Sequence, residues 1–167
     1  MKELPHGDGA KVQLSKASLR QMLLHKRAQT TPETVKSASR QIAEQILAHE
    51  KFADRAQIHV YMPLAKSGEI DTRTVIALLQ GSYPDLSLSW GDQRRDAPMP
   101  RAKFDVIFVP VVGFNRDGFR LGFGGGWYDR FLANQPQARK IGLAYGWSEV
   151  QFAPEPHDIR LDEIYTD

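Results

Sequence analysis

A run of glycines flanked by two opposite charges is the part of the chain best suited to chemistry. Four glycines lie between positions 122 and 126, Arg120 precedes them, and Asp129 follows them. Glycine tolerates positive φ and lets several backbone N–H groups approach an anion, and a helix that begins nearby adds its positive dipole end. Arg120 supplies a positive charge, whereas Asp129 would repel a phosphate unless it held a bridging divalent cation. The pattern predicts a phosphate-binding loop with a metal-binding carboxylate.

Neither of two common phosphate-binding motifs describes this loop. A Walker A loop needs Lys followed by Ser or Thr, which the run GFGGGW lacks. A dinucleotide fingerprint GxGxxG that begins at Gly122 fails because position 127 is Trp. An isolated glycine cluster is more often a tight structural turn, but the charges of Arg120 and Asp129 on either side favour a binding site.

The composition limits the classes of protein to consider. A chain of 167 residues, 41% hydrophobic and 25% charged, is typical of one globular domain. The net charge of +2 is too small to argue for nucleic acid by itself, and the lack of cysteine excludes disulfides, thiol catalysis and Cys-based metal sites. No apolar run approaches the roughly 20 residues of a membrane span, and the N-terminus lacks the apolar centre of a signal peptide. We expect a cytoplasmic protein.

Strand and helix signals alternate along the chain. Apolar runs at 56–62, 85–90, 105–112 and 140–146 predict buried strands, and Ser15, Thr31 and Asp71 predict helix N-caps. This alternation predicts a single-domain α/β fold, an open, largely parallel sheet flanked by helices in Rossmann-like layers. Residues 1–12 contain little apolar material and are predicted to form a flexible tail, which leaves 13–167 as the domain.

Two features near the start of the chain have both a functional and a structural interpretation. Lys16 and Arg20 are four residues apart and project from one side of the first helix, as an anion-binding pair or as a solvated basic face. Glu69 follows the carboxyl end of a strand, where ligands bind in open α/β sheets, although an acid there is often a mere loop residue. His59, inside a strand, is expected to be a hydrogen-bonded core histidine.

The C-terminal segment offers three more polar candidates. His157 and Asp158 form a His-Asp pair, but no serine lies in a GxSxG elbow, so a hydrolase triad is not predicted. Asp162 precedes an apolar strand and is either a second carboxylate for the metal or a strand-edge residue.

The central motif RLGFGGGWYDRFL resembles the RLGxGxGYYDxxL signature of the 5-formyltetrahydrofolate cyclo-ligases. Weaker matches occur in the family's order: KASLR at 16–20, GEIDT at 68–72 and PHDIRLDEI at 156–164. The resemblance implies an ATP- and Mg²⁺-dependent ligase that converts 5-formyltetrahydrofolate into 5,10-methenyltetrahydrofolate through a phosphorylated formyl group, with release of ADP and phosphate.

The resemblance also implies a role for individual residues. ATP is implied to bind Lys16, Ala17, Ser18, Leu19, Arg20, Arg120, Leu121, Gly122, Phe123, Gly124, Gly125, Gly126, Trp127 and Tyr128. The folate is implied to contact Met62, Glu69, Gly125, Gly126, Trp127, Tyr128 and Asp129. Catalysis, by stabilising the transferring phosphate, is implied for Lys16, Arg20 and Arg120. Magnesium is implied to bind Asp129 and Asp162. The expected partners are small molecules, without a membrane or nucleic acid, in a monomer or weak homodimer.

Three departures from the family pattern leave alternatives open. Trp127 replaces the usual first Tyr, Ser148 stands where Gln is common, and the segment between Trp90 and Phe104 is shorter than in relatives. A divergent relative that uses ATP on another small amide or acid is one alternative. A non-catalytic nucleotide- or RNA-binding module that uses the basic first helix is the other.

Overall fold

The fold is a five-stranded parallel sheet with helices packed around it, as the alternation of strand and helix signals predicts. The structure is a computed structural model that describes residues 14–64, 66–91 and 96–167. The sheet has the order β2-β1-β3-β6-β7, and a separate antiparallel pair is formed by β4 and β5. The strands are β1 Gln57–Tyr61, β2 Ser87–Gly91, β3 Val106–Pro110, β4 Gly113–Phe114, β5 Arg120–Leu121, β6 Arg139–Ala144 and β7 Glu163–Thr166. The tail predicted at 1–12 lies outside the described residues.

Three of the four described α-helices begin where their capping residues predict. The helices are α1 Lys16–Ala28, α2 Pro32–His49, α3 Thr72–Ser82 and α4 Trp127–Ala133. The side chains of Ser15, Thr31 and Asp71 accept hydrogen bonds from backbone N–H groups in the first turns of α1, α2 and α3, at 3.1, 3.2 and 3.0 Å. These bonds satisfy donors that have no partner inside the helix, so each capping residue defines where its helix starts. No described helix is both long enough and apolar enough to cross a bilayer.

The apolar run at 105–112 is divided into a strand and the start of a hairpin. Strand β3 ends at Pro110, which has no backbone N–H to continue the ladder. Two residues later the N–H of Val112 donates to the carbonyl of Leu121, 2.9 Å away, which brings β4 and β5 together. The sequence pattern predicts one longer strand here because Val111 and Val112 continue the apolar run. The hairpin then returns the chain to the carboxyl end of the sheet, where the glycine loop begins.

The hydrophobic core has two parts, and the smaller part positions α1. The larger part surrounds the sheet and includes the first four residues of β3, 106–109. The smaller part lies between α1 and the hairpin and consists of Leu19, Leu23, Val112, Leu121 and Phe152. Because Leu19 and Leu23 are buried against the hairpin, basic residues of α1 such as Arg20 are held beside the loop that follows β5.

Two glycines give opposite predictions for the same substitution. Gly68 has a φ of +66°, and a Cβ there would lie 2.2 Å from the backbone oxygen of Arg27. Gly68→Ala should therefore lower the free energy of unfolding by at least about 2 kcal/mol. Gly81 lies in α3 with nothing within 4 Å of its added Cβ, so Gly81→Ala should raise that free energy by about 0.5–1 kcal/mol. Urea denaturation of both variants measures the two changes, and equal changes would contradict the packing described for Gly68.

Candidate active site

A cavity lies beyond the carboxyl end of β3, where Pro110 forms part of its wall. It has a volume of about 480 Å³, within the usual range for small-molecule sites. The glycine loop forms a large part of its lining, together with residues of α1, α4 and the C-terminal segment. The lining residues are Arg20, Leu64, Pro110, Arg120, Gly122, Phe123, Gly124, Gly125, Gly126, Trp127, Tyr128, Asp129, His157 and Asp158. The predicted phosphate-binding loop therefore lies in a cavity.

The glycine loop joins β5 to α4 in a conformation that requires glycine. Gly124 and Gly126 have φ values of +89° and +64°, in the left-handed region that other residues rarely adopt. Arg20 reaches the loop from α1, and its Nε donates a 2.9 Å hydrogen bond to the carbonyl oxygen of Gly122. Helix α1 thus contacts the glycine loop directly through Arg20, one of the two basic residues that the sequence places on one side of the helix.

Arg120 and Asp129 form an ion pair at the base of this loop. Nη2 of Arg120 lies 3.0 Å from Oδ1 of Asp129, and the two side chains are 4% and 17% exposed. Burial lowers the pKa of Arg120 and Asp129 counteracts it, but an arginine remains charged at neutral pH. The guanidinium also lies over the ring of Tyr128, with Cζ 5.6 Å from the ring centroid. The pair therefore places a positive charge and a carboxylate at fixed positions in the cavity wall.

Two polar groups of the cavity wall have unused hydrogen-bonding capacity. Nε of Arg120 and the hydroxyl of Tyr128 are buried and have no hydrogen-bond partner among the described residues. Burial raises the pKa of Tyr128, so the hydroxyl stays protonated and can donate. A buried donor without a partner is destabilising, and such groups concentrate at ligand sites, where the ligand supplies the partner.

Lys16 is paired with two carboxylates and does not form a solvated basic face. Its Nζ contacts Asp158 and lies 2.8 Å from Oε2 of Glu155. Burial alone would lower the pKa of Lys16, but the hydrogen bonds to Asp158 and Glu155 raise it above the ordinary value. Asp158 also accepts a 2.7 Å hydrogen bond from the backbone N–H of Glu155. Lys16 lines an open depression beside the cavity, together with Ala17 and Arg20.

Several other residues implied to bind ATP are buried or bonded within the fold. Leu19 is buried in the smaller core, and the hydroxyl of Ser18 lies 3.0 Å from that of the capping Ser15. Leu121 is likewise fully buried below the glycine loop. These residues therefore fix the backbone of α1 and β5 beside the cavity.

Glu69 is buried next to the cavity, while Met62 is exposed at the end of β1. Oε2 of Glu69 accepts a 2.8 Å hydrogen bond from the backbone N–H of Leu64, which lines the cavity. Oε1 lies 3.6 Å from Nη2 of Arg27, a residue for which the sequence pattern predicts no site role. Met62 is 44% exposed, and its N–H donates to the carbonyl of Gly91. Both residues flank the cavity but do not line it.

Asp162 lies at the opposite end of the sheet from the cavity. Its carboxylate accepts a 2.7 Å hydrogen bond from the backbone N–H of Lys140, near the start of β6. Pro110, at the cavity, is paired with Leu143, three residues further along β6, so the separation is on the order of 10 Å along the strand. The geometry does not bring Asp162 to Asp129, and it does not support one ion shared by these two residues. Asp162 has the strand-edge role that the sequence left open.

Asp158 is instead the second carboxylate in the lining of the cavity. It lies near the start of α1 because of its bonds to Lys16 and Glu155. The sequence shows that Asp158 follows His157, but only the fold shows that both residues line the cavity. Glu155, His157 and Asp158 have potential metal-ligand atoms within 4.8 Å of one another, but the carboxylate of Asp158 already forms an ion pair with Lys16.

An aromatic layer supports the site from below. The Nε1–H of Trp127 donates a 2.8 Å hydrogen bond to the carbonyl of Ala97, so the residue that departs from the family pattern anchors the short segment before β3. The ring of His59 lies 4.7 Å from that of Phe131 and 5.2 Å from that of Phe104. His59 is fully buried, but neither ring nitrogen has a partner among the described residues. The expectation that His59 is buried in the core is therefore confirmed, and the expectation that it is hydrogen-bonded is wrong, because the surrounding aromatic rings offer no conventional acceptor.

The parallel sheet, with a glycine loop and a buried ion pair beyond its carboxyl end, defines the chain as an α/β protein with a candidate ligand-binding site. The model of the 5-formyltetrahydrofolate cyclo-ligase family matches residues 12–86 and 87–167. The chain therefore belongs to the 5-formyltetrahydrofolate cyclo-ligase family, as its motifs predict.

Individual relatives agree with this membership. The 5-formyltetrahydrofolate cyclo-ligase of Mycoplasma pneumoniae is 40% identical over 94 residues, which cover 53% of this chain and 57% of that protein. The 5-formyltetrahydrofolate cyclo-ligase of Mycoplasma genitalium is 26% identical over 163 residues, 90% of this chain and 97% of that protein. The solved structure of a 5,10-methenyltetrahydrofolate synthetase from Mycoplasma pneumoniae is similar with a TM-score of 0.75 at 26% identity, and covers 91% of this chain and 98% of that one.

The buried His59 gives a prediction for the pH dependence of stability. Burial lowers the pKa of His59 to about 4, from an ordinary value of 6.5. Below pH 6.5 the unfolded chain binds this proton and the folded chain does not, so the contribution to stability is complete above pH 6.5 and declines as the pH falls toward 4. Between pH 7.5 and 5 the wild type should lose about 2 kcal/mol through this group.

The His59→Leu variant should lack this part of the pH dependence. Urea denaturation at the two pH values measures the difference between variant and wild type. His25→Gln, at an exposed position of α1, is the control and should follow the wild type. A His59→Leu profile parallel to that of the wild type would show that His59 is not held neutral.

Proposed function

We propose that the protein catalyses the ATP- and Mg²⁺-dependent cyclisation of 5-formyltetrahydrofolate to 5,10-methenyltetrahydrofolate, with release of ADP and phosphate. The observation that carries the proposal is the cavity at the end of β3, where the glycine loop and the Arg120–Asp129 pair lie together in a chain of the cyclo-ligase family. The cavity volume is suited to small molecules, and its wall combines basic, acidic and aromatic groups.

The reaction activates a poor leaving group by phosphorylation. The formyl oxygen attacks the γ-phosphorus of ATP and ADP leaves; N10 then attacks the formyl carbon and loses its proton, and phosphate departs as the methenyl bridge forms. This chemistry needs charge neutralisation and in-line positioning of the reacting atoms. Arg20 and Arg120 line the cavity with guanidinium groups suited to phosphate oxygens, and Lys16 lies beside them on α1.

Asp129 suits a magnesium ligand because it is a carboxylate in the cavity wall, 17% exposed and beside the glycine loop. The ion would neutralise the charge of the triphosphate. Asp162 is left out of this proposal because its carboxylate is bonded to the N–H of Lys140 at the other end of the sheet. Trp127 and Tyr128 are proposed to contact the folate and to separate its pterin ring from the nucleotide. Glu69 is proposed to act from beside the cavity, by holding Leu64 in the wall at the folate side.

Incubation of the purified protein with 5-formyltetrahydrofolate, Mg²⁺ and ATP tests the reaction by the appearance of the methenyl product. If ATP binds and no ATP-dependent product forms, the folate part of the proposal is wrong and a relative that acts on another small substrate is favoured.

Asp129→Asn should lower kcat/KM by roughly 100-fold or more, because the amide neither binds the cation strongly nor balances the charge of Arg120. Asp162→Asn is the matched control, since an amide oxygen there can still accept the hydrogen bond from Lys140. Its kinetic constants should stay near those of the wild type. Steady-state kinetics with circular dichroism checks both variants, and equal losses in the two would refute the assignment of the metal role to the cavity carboxylate.

A further inference from the structure

Arg27 is a buried arginine that neither the sequence motifs nor the proposed chemistry explains. It lies in the last turn of α1, where its neighbours His25 and Lys26 are exposed, yet its own side chain is only 3% exposed. Burying a guanidinium is costly unless charged and polar partners compensate for the lost water. The contacts of Arg27 therefore indicate what its burial accomplishes.

The edge of the Arg27 guanidinium binds the loop that carries Glu69. Nη2 lies 3.6 Å from Oε1 of Glu69, and Nε donates a 3.2 Å hydrogen bond to the carbonyl oxygen of Ser67. The backbone of Arg27 packs so closely on Gly68 that no side chain fits there. Glu69 in turn accepts the N–H of Leu64, so Arg27 helps to fix a residue of the cavity wall.

The same guanidinium lies over the ring of Phe123 in the glycine loop. Cζ of Arg27 lies 5.1 Å from the centroid of the Phe123 ring. Phe123 is 43% exposed and lines the cavity between Gly122 and Gly124. A planar guanidinium can bind a carboxylate through its edge and an aromatic ring through its face at the same time, whereas an ammonium group cannot do both.

We propose that Arg27 is a positioning residue that couples the glycine loop to the segment 66–69. This proposal rests on the proposed function, which assigns the nucleotide to the glycine loop and the folate to the segment that carries Glu69. Because one rigid group contacts both loops, a ligand that orders either loop also stabilises the other, so the two substrates bind with positive coupling. The guanidinium contacts neither ligand itself and acts through Glu69 and Phe123.

Arg27→Lys and Phe123→Leu test the coupling without leaving an unbalanced buried charge. Lysine keeps a positive charge for Glu69 but loses the planar face, and leucine keeps an apolar group at an exposed position but loses the ring. Each variant should raise KM for both ATP and 5-formyltetrahydrofolate, so that the product of the two KM values rises about tenfold. The change in kcat should be smaller. The double variant should be no worse than the poorer single variant, because both changes remove the same contact.

Lys26→Met is the matched control. Lys26 is the preceding residue of α1, and its Nζ lies 4.4 Å from the ring centroid of Trp147, a similar contact outside the cavity. This variant should retain wild-type KM values. Multiplicative effects of Arg27→Lys and Phe123→Leu in the double variant, or a wild-type KM for both substrates in Arg27→Lys, would overturn the proposal.

A binding measurement separates this proposal from the proposed function. Calorimetric titration of the same four proteins and the wild type with a non-hydrolysable ATP analogue and Mg²⁺ needs no turnover. If the wild type forms no methenyl product, the proposed function fails, but the coupling of Arg27 to the glycine loop still predicts non-additive losses of affinity. Additive losses, unchanged affinity in both single variants, or no binding to the wild type would each overturn it.

Discussion

The burial of Arg120 is the constraint on which the rest of the site depends. A guanidinium with a side chain only 4% exposed needs a partner, and Asp129 from the next element supplies it. Because Arg120 is in β5 and Asp129 in α4, their ion pair fixes both ends of the glycine loop that joins them. The loop itself has little side-chain packing of its own, so its conformation depends on this pair and on the contacts from α1.

Helix α1 provides those contacts through three basic residues with different partners. Arg20 binds the carbonyl of Gly122, Lys16 pairs with Asp158, and Arg27 lies against Phe123. Lys16 and Arg20 are four residues apart, and Arg20 and Arg27 are seven apart. These spacings are about one and two helical turns, so the three residues lie on one side of α1. A helix held by Leu19 and Leu23 against the hairpin thus presents a row of positive groups to the loop and to the acidic residues around it.

Much of the fold and part of the site could be predicted from residue patterns. The caps Ser15, Thr31 and Asp71 act through bonds to neighbouring backbone groups, so their effect is local and readable in the chain. Asp162 could not be assigned in the same way, because its neighbour Lys140 is distant in sequence and belongs to another strand. Arg27 was missed for the same reason, and Asp158 was a candidate only as part of a His-Asp pair, because the contact with Lys16 that places it at the cavity joins distant parts of the chain.

Residue patterns alone predict the alternation of the helices with the strands of the main sheet, the glycine loop with its two flanking charges, and the family to which the chain belongs. These features depend on local propensities and contiguous motifs, which do not require knowledge of distant contacts. The folded structure is needed to show which carboxylates face the cavity, which arginine is buried beside Glu69, and that His59 has no hydrogen-bond partner among the described residues. Burial and pairing arise from elements brought together by the core, and their electrostatic consequences exist only once that core has formed.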